Sequence, residues 1–454
     1  MNDEQDSNRW RQLDKDLKRI GRLELSGQAI SRPLIAPGAA LVFILLACGA
    51  AALALTPSGS SWALVLAAGV GAYMALNIGA NDVETIAGGI VAPEGFATSD
   101  GFVRVMICAM IAAALWVNLS TWLGAPVSTT HAVVGGVLGA GMAGGGLDAV
   151  NWPAVGTIAA GWVASPVMGG VAAAGLLAFL QARIARAPDP LAAGRRWAPV
   201  LVAAMAGVFT TYLAMKALSH LIPVAPWQAL GMGLAAGLAA WAAAHPLVAW
   251  ASAEMENRPR SLKALFRLPL AIAAALLSFA HGANDVANVV GPLAAIARAT
   301  QDGAAGALVV APGWVMAIGA VGISLGLLLF GPRLVRMVGD EITKLSPPRA
   351  WCVAMSAAAT VILASWMGLP VSSTHVAVGG VFGVGFLREW QEARRAREAR
   401  RARDRALDHA PEERSRRMLV RRSHFLTIVA AWVVTAPATA ALSALILAVW
   451  SRLL

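Results

Sequence analysis

From Leu34 to Leu454 the chain alternates apolar stretches of about twenty residues with short polar joints, and stretches of that length cross a hydrocarbon core of ~30 Å as helices. The pattern predicts an all-α polytopic membrane protein. Spans or hairpin arms are expected at 34–56, 61–82, 103–123, 127–145, 153–181, 198–220 and 227–250, then at 267–300, 313–332, 350–368, 371–387 and 424–451. Ahead of them, Leu13, Leu17, Ile20 and Glu24 fall at helical spacing among seven basic and six acidic residues. That mixture predicts a short amphipathic helix on the membrane surface.

Composition agrees with the pattern. Hydrophobic residues make up 58% of the chain and charged residues 13%, about half the usual charged share of a soluble domain. A soluble globular enzyme is excluded. The formal charge of +11 sits in joints and tails and not on a foldable basic domain, so it reads as topology and not as a nucleic-acid surface. Arg183, Arg186, Arg195 and Arg196 mark one cytoplasmic joint, and Arg258, Arg260, Lys263 and Arg267 mark another. Residues 388–423 hold thirteen Arg against seven Asp plus Glu, which places that arm inside as well. Cys48, Cys108 and Cys352 all lie within apolar stretches, against a disulfide framework or thiolate metal site. With no secretory signal peptide evident, the first span is expected to act as its own targeting signal, and the location expected is the cell (inner) membrane.

Two segments of the chain recur. Gly79-Ala80-Asn81-Asp82-Val83 returns as Gly282-Ala283-Asn284-Asp285-Val286, 203 positions later. The segments 124–141 and 368–385 agree at 12 of 18 positions, beginning Gly-Ala-Pro-Val-Ser-Thr-Thr-His and Gly-Leu-Pro-Val-Ser-Ser-Thr-His, at an offset of 244. Cys108 with Cys352 and Trp122 with Trp366 share that second offset. The chain is a duplication with one unequal interval. Charge placement makes 350–387 a re-entrant hairpin that begins and ends inside, since Arg349 and the Arg-rich arm flank it. Its counterpart at 103–145 begins and ends outside. Opposed hairpins predict an inverted-topology repeat with broken helices and a site near the bilayer midplane.

The duplicated residues carry the chemistry. Asp82 and Asp285 sit inside apolar stretches, where an ionised carboxylate is expensive and by default functional. Glycine and Asn tolerate the unwound backbone, and Asp supplies the hard oxygen that a small cation prefers. The two Pro-Val-Ser turns place hydroxyls, at Ser128, Thr129 and Thr130 and at Ser372, Ser373 and Thr374, at the start of a helix, where free N–H groups and the dipole favour an anion. His131 and His375 could bind anion or protons or serve as structural residues, and His281 has no counterpart in the first copy. Two carboxylates with a divalent oxyanion would leave about four negative charges in a low dielectric, so cations must accompany the anion.

Ser278-Phe279-Ala280-His281-Gly282-Ala283-Asn284-Asp285-Val286-Ala287-Asn288 and the two Pro-Val-Ser-x-Thr-His turns resemble the signatures of the inorganic phosphate transporter (PiT) family, over roughly residues 34–452. The resemblance implies import of inorganic phosphate by symport with Na+ or H+, usually by a homodimer, with no cofactor beyond the coupling ion. By resemblance, Asn81, Asp82, Asn284 and Asp285 would serve the cation, and Ser128 to Thr130 and Ser372 to Thr374 would cradle phosphate; Asn288 is a further candidate. One departure stands out: 85 residues separate Asp285 from Pro370, and only 44 separate Asp82 from Pro126. The first copy is therefore 41 residues short, having lost the rest of the broken helix and one span. Residues 61–95 are then expected to be re-entrant, leaving Ser60 and Gly95 on one face. A sulfate permease and a truncated, non-transporting anion-binding paralogue are the competing readings.

The expected organisation is a cytoplasmic amphipathic segment at 1–33, a first repeat at 34–182 and connecting spans with basic joints at 183–263. A second repeat follows at 264–387, then the Arg-rich arm at 388–423 and a final transmembrane helix at 424–454.

Overall fold

The structure is a computed structural model and describes residues 38–52, 62–77, 89–92, 95–96, 98–123, 127–216, 218, 222–301, 311–341, 345–367, 371–404 and 422–453. The amphipathic segment 1–33, Asn81 and Asp82 lie outside the described residues, as do 405–421 of the Arg-rich arm.

The described chain is almost entirely helical, apart from short joints and one isolated bridge. In lipid a backbone must satisfy its own hydrogen bonds, and long apolar runs do so only as helices or closed barrels. The helices are α1 (Gly38–Ala52), α2 (Trp62–Asn77), α3 (Ser99–Leu123), α4 (Thr129–Gly145), α5 (Trp152–Leu180), α6 (Pro190–Lys216) and α7 (Pro226–Ser252). They continue as α8 (Pro259–Leu265), α9 (Arg267–Asp285), α10 (Ala287–Gln301), α11 (Gly313–Glu341), α12 (Pro347–Trp366), α13 (Ser373–Asp404) and α14 (Arg422–Leu453). Seven segments among the described residues are long and apolar enough to span a membrane.

The two copies interlock. In the first copy α3 packs on α4, in the second α12 packs on α13, and each second arm also packs on the long helix that follows the other hairpin in the chain: α4 on α14, α13 on α5. Glycines make this possible. A Cβ at Gly135 or Gly139 would run into the backbone of Ala436 or Ala440, and one at Gly379 or Gly383 into the backbone of Pro166 or Gly170. These contacts are paired by the duplication, since Gly379 and Gly383 stand 244 positions after Gly135 and Gly139. Helix α10 reaches across too, burying Val289, Val290, Leu293 and Ile296 in the core of the first copy beside α2 and α3.

The arms end differently for a local reason. Helix α4 stops at Gly146, which has φ of +80° and returns its N–H to the Met142 carbonyl at 3.0 Å, a conformation that costs glycine least. The position 244 residues later is Trp390, and α13 runs on through it with Arg388–Glu392 and Arg394–Glu398 pairs at helical spacing. The boundary expected between 387 and 388 therefore falls inside one helix.

After α2 the chain returns to the open end of the first hairpin. Tyr73 of α2 hydrogen bonds Asn118, near the closed end of α3. By Val91 the chain is bridged to Val150, with Ala92 N–H on the Ala149 carbonyl at 3.0 Å and Asn151 N–H on Ile90 at 2.9 Å. That is where α4 ends and α5 begins. Between the two copies, α6 and α7 pair closely, and Arg195 Nε donates to Ser252 Oγ at 2.8 Å and the guanidinium to the Ser252 carbonyl. Trp227, Leu234, Leu238 and Trp250 of α7 face outward.

Candidate functional site

Both hydroxyl turns form helix N-termini. Ser128 caps α4, its Oγ accepting the His131 N–H at 3.2 Å, and Ser372 Oγ accepts the His375 N–H at 3.3 Å in the same relation to α13. Such a cap satisfies one of the free donors of the first turn and leaves others available. Ser128, Thr130, Ser372 and Ser373 are buried, whereas Thr129 and Thr374 are partly exposed. The middle and last hydroxyls thus exchange burial between the copies.

Asp285 closes α9, and Val286 separates it from α10. Val286 keeps helical φ and ψ of −62° and −34°, its N–H bonds the Gly282 carbonyl at 3.0 Å and its carbonyl accepts the Val290 N–H at 3.1 Å. The unwound backbone expected at the carboxylate is therefore not what the structure has; Pro292 lies further on, within α10. Both carboxylate oxygens are engaged: Oδ2 lies 3.1 Å from His281 Nε2, one turn earlier, and Oδ1 accepts the hydroxyl of Ser373 at 3.2 Å. Asp285 is buried, His281 is a third exposed, and Asn288 is fully buried one turn further on. The backbone of Asn284 belongs to the last turn of α9, and its side chain lies outside the described residues. The carboxylate of Asp285 is a hard oxygen donor of the kind a Na+ ion takes. No cluster of three His, Cys, Asp or Glu suited to a transition metal occurs among the described residues.

The two turn histidines meet. The His131 and His375 ring centroids are 4.5 Å apart with the rings at 80°. His131 lies 3.7 Å from the Trp162 ring, and His375 stacks on Trp432 at 3.7 Å. Neither tryptophan was singled out by the motifs. A signal was present: Thr157-Ile158 and Trp162-Val163 recur as Thr427-Ile428 and Trp432-Val433, at a third offset of 270. The structure brings together Ser373, Asp285 and His281 in one hydrogen-bonded group, and His131 with His375 in another. Asn81 and Asp82 cannot be placed in either because they lie outside the described residues.

Known proteins resemble the chain in sequence and in overall fold. The model of the phosphate transporter family matches residues 47–443. A Helicobacter pylori protein provisionally named a phosphate permease is 40% identical, the match covering 86% of this chain and 81% of that one. The chloroplastic inorganic phosphate transporter 2-1 of Arabidopsis thaliana is 35% identical over 69% of this chain and 58% of its own length. Among solved structures, the sodium-dependent phosphate transporter superposes with a TM-score of 0.73 at 29% identity, covering 86% of this chain and 90% of that chain.

Proposed function

The chain belongs to the phosphate transporter family, and from this premise we propose that it imports inorganic phosphate by symport with Na+ or H+. The observation that carries the reading is the bond from Ser373, a turn hydroxyl, to Asp285, the buried carboxylate of the repeated motif. A cation group and an anion group in direct contact are what coupled transport of the two requires. Ser128, Thr129, Thr130, Ser372, Ser373 and Thr374 would cradle the oxyanion. Asn81, Asp82, Asn284 and Asp285 would hold the coupling cations, with His281 and Asn288 beside them. Crosswise packing of the two copies supports opposed hairpins, and the name of the sodium-dependent structural neighbour supports Na+ as the coupling ion. A homodimer in the cell membrane is the assembly we expect.

A second reading is kept alive by the 41-residue deficit of the first copy: a paralogue that binds anion without moving it. Counterflow of labelled phosphate and sulfate in proteoliposomes, with and without a Na+ gradient or an acid exterior, separates the possibilities. Phosphate exchange that rises with one of the two gradients is the expected result. Preferred exchange of sulfate would make the chain a sulfate permease, and saturable phosphate binding without exchange would establish the non-transporting paralogue.

A further inference from the structure

Two residues related by an internal duplication touch each other only where the operation relating the copies passes between them. His131 and His375 are such a pair, 244 positions apart and in ring contact at 4.5 Å. Trp162 and Trp432, which flank them at 3.7 Å on either side, are a second related pair, 270 positions apart. Four rings from four helices, α5, α4, α13 and α14, therefore follow one another in the order Trp162, His131, His375, Trp432. The same helices are locked crosswise by the glycine contacts of Gly135 and Gly139 with α14 and of Gly379 and Gly383 with α5.

Each histidine belongs to the first turn of a helix whose N-terminus is a hydroxyl turn, and its own N–H is held by the capping serine three residues earlier. Rotation of that first turn carries the imidazole with it. Each imidazole is confined by an indole on one side and by the imidazole of the other copy on the other. Packing alone does not call for these residue types: Trp162 Nε1, Trp432 Nε1 and both ring nitrogens of His375 are buried without a hydrogen-bond partner among the described residues, which an aliphatic side chain would avoid. Yet the arrangement occurs twice.

We propose that Trp162 and Trp432 are positioning residues for the two hydroxyl turns, and that the row of four contacting rings makes the turns orient as one unit. The proposal rests on the reading of the turns as the phosphate cradle. An indole released at one end frees its own histidine and, through the His131–His375 contact, loosens the other.

The test uses the full chain, purified in detergent, with labelled inorganic phosphate as the probe and folded protein counted by size exclusion. Trp162→Ala and Trp432→Ala should each raise the phosphate Kd by about 3- to 10-fold, the range that loss of one aromatic pair corresponds to. Trp→Phe at either position should restore binding, because it keeps the ring face. The double alanine variant should fall short of the product of the single effects, since either loss already frees the unit. Unchanged Kd in the single variants, multiplicative effects in the double, or no rescue by Phe would overturn the proposal. Should the alanine variants not fold, Trp→Leu variants carry the same comparison; if these also fail while Phe folds, the row of rings is a fold element and the positioning role is overturned. Ser372→Ala with Thr374→Ala runs in parallel. If the hydroxyl variants leave Kd unchanged, the cradle reading itself has failed; if they raise it while the tryptophan variants do not, only the positioning role has failed.

Discussion

Ser373 gives its hydroxyl proton to Oδ1 of Asp285 across 3.2 Å and 88 residues of chain. A serine has one proton to donate, so in this arrangement Ser373 serves the carboxylate and not an oxyanion. Under the proposed symport, a cation arriving at Asp285 would compete for the same oxygen and release the hydroxyl toward an anion, and by linkage each ligand would then strengthen the other.

Asp285→Asn keeps the shape of the side chain and removes the charge. Hydrogen bonds to charged groups are worth roughly 1.5–3 kcal/mol, so cation-dependent phosphate uptake should fall by about 10- to 100-fold with membrane insertion intact. Ser373→Ala should flatten the dependence of phosphate binding on cation concentration more than it weakens binding at saturating cation. Parental uptake with parental cation dependence in the Asn variant would remove Asp285 from the coupling.

Replacing Ser372 and Thr374 with Ala should raise the apparent Km for phosphate by several-fold, because two donors leave the turn that α13 presents. Loss of the Ser372 cap on the His375 N–H should also cost about 1 kcal/mol of stability. Thermal melting beside uptake kinetics separates the two effects, and an unchanged Km would move the anion away from this turn.

The interlock of the copies predicts where small residues are required. Gly135→Ala and Gly383→Ala drive a methyl into the backbone of the opposing helix and should each destabilise the folded chain by about 1–3 kcal/mol. Gly146→Ala, at φ of +80°, should cost about 1–2 kcal/mol through the backbone alone. Gly156→Ala and Gly175→Ala, where a methyl meets nothing within 4 Å, should melt within about 0.5 kcal/mol of the parent. Equal melting of all five in detergent would contradict the crosswise packing.

Single cysteines at Ser60 and Gly95, in a background with Cys48, Cys108 and Cys352 replaced, should both react with an impermeant thiol reagent added to right-side-out cells. The return of the chain from Tyr73, beside Asn118, to the Val91–Val150 bridge favours this outcome. Labelling of only one position would make 61–95 a conventional span and favour the non-transporting paralogue.

Hydropathy by itself determined that the chain is a helical membrane protein, because lipid leaves an apolar backbone few other ways to satisfy its hydrogen bonds. The repeated motifs likewise marked Asp285, the hydroxyl turns and the two turn histidines, since identical residues at a fixed offset are legible without any contact. Even the unequal ends of the two second arms had a local sign, Gly146 against Trp390. Only the tertiary structure decided which marked residues touch: Ser373 with Asp285, His131 with His375, and both histidines with tryptophans that no motif contained. Helices such as α4 and α5 are apolar on every side, so no periodicity in the sequence says which face meets a neighbour. Their rotation and depth were settled instead by where glycines let one backbone approach another, and with them the partners of every side chain at the site.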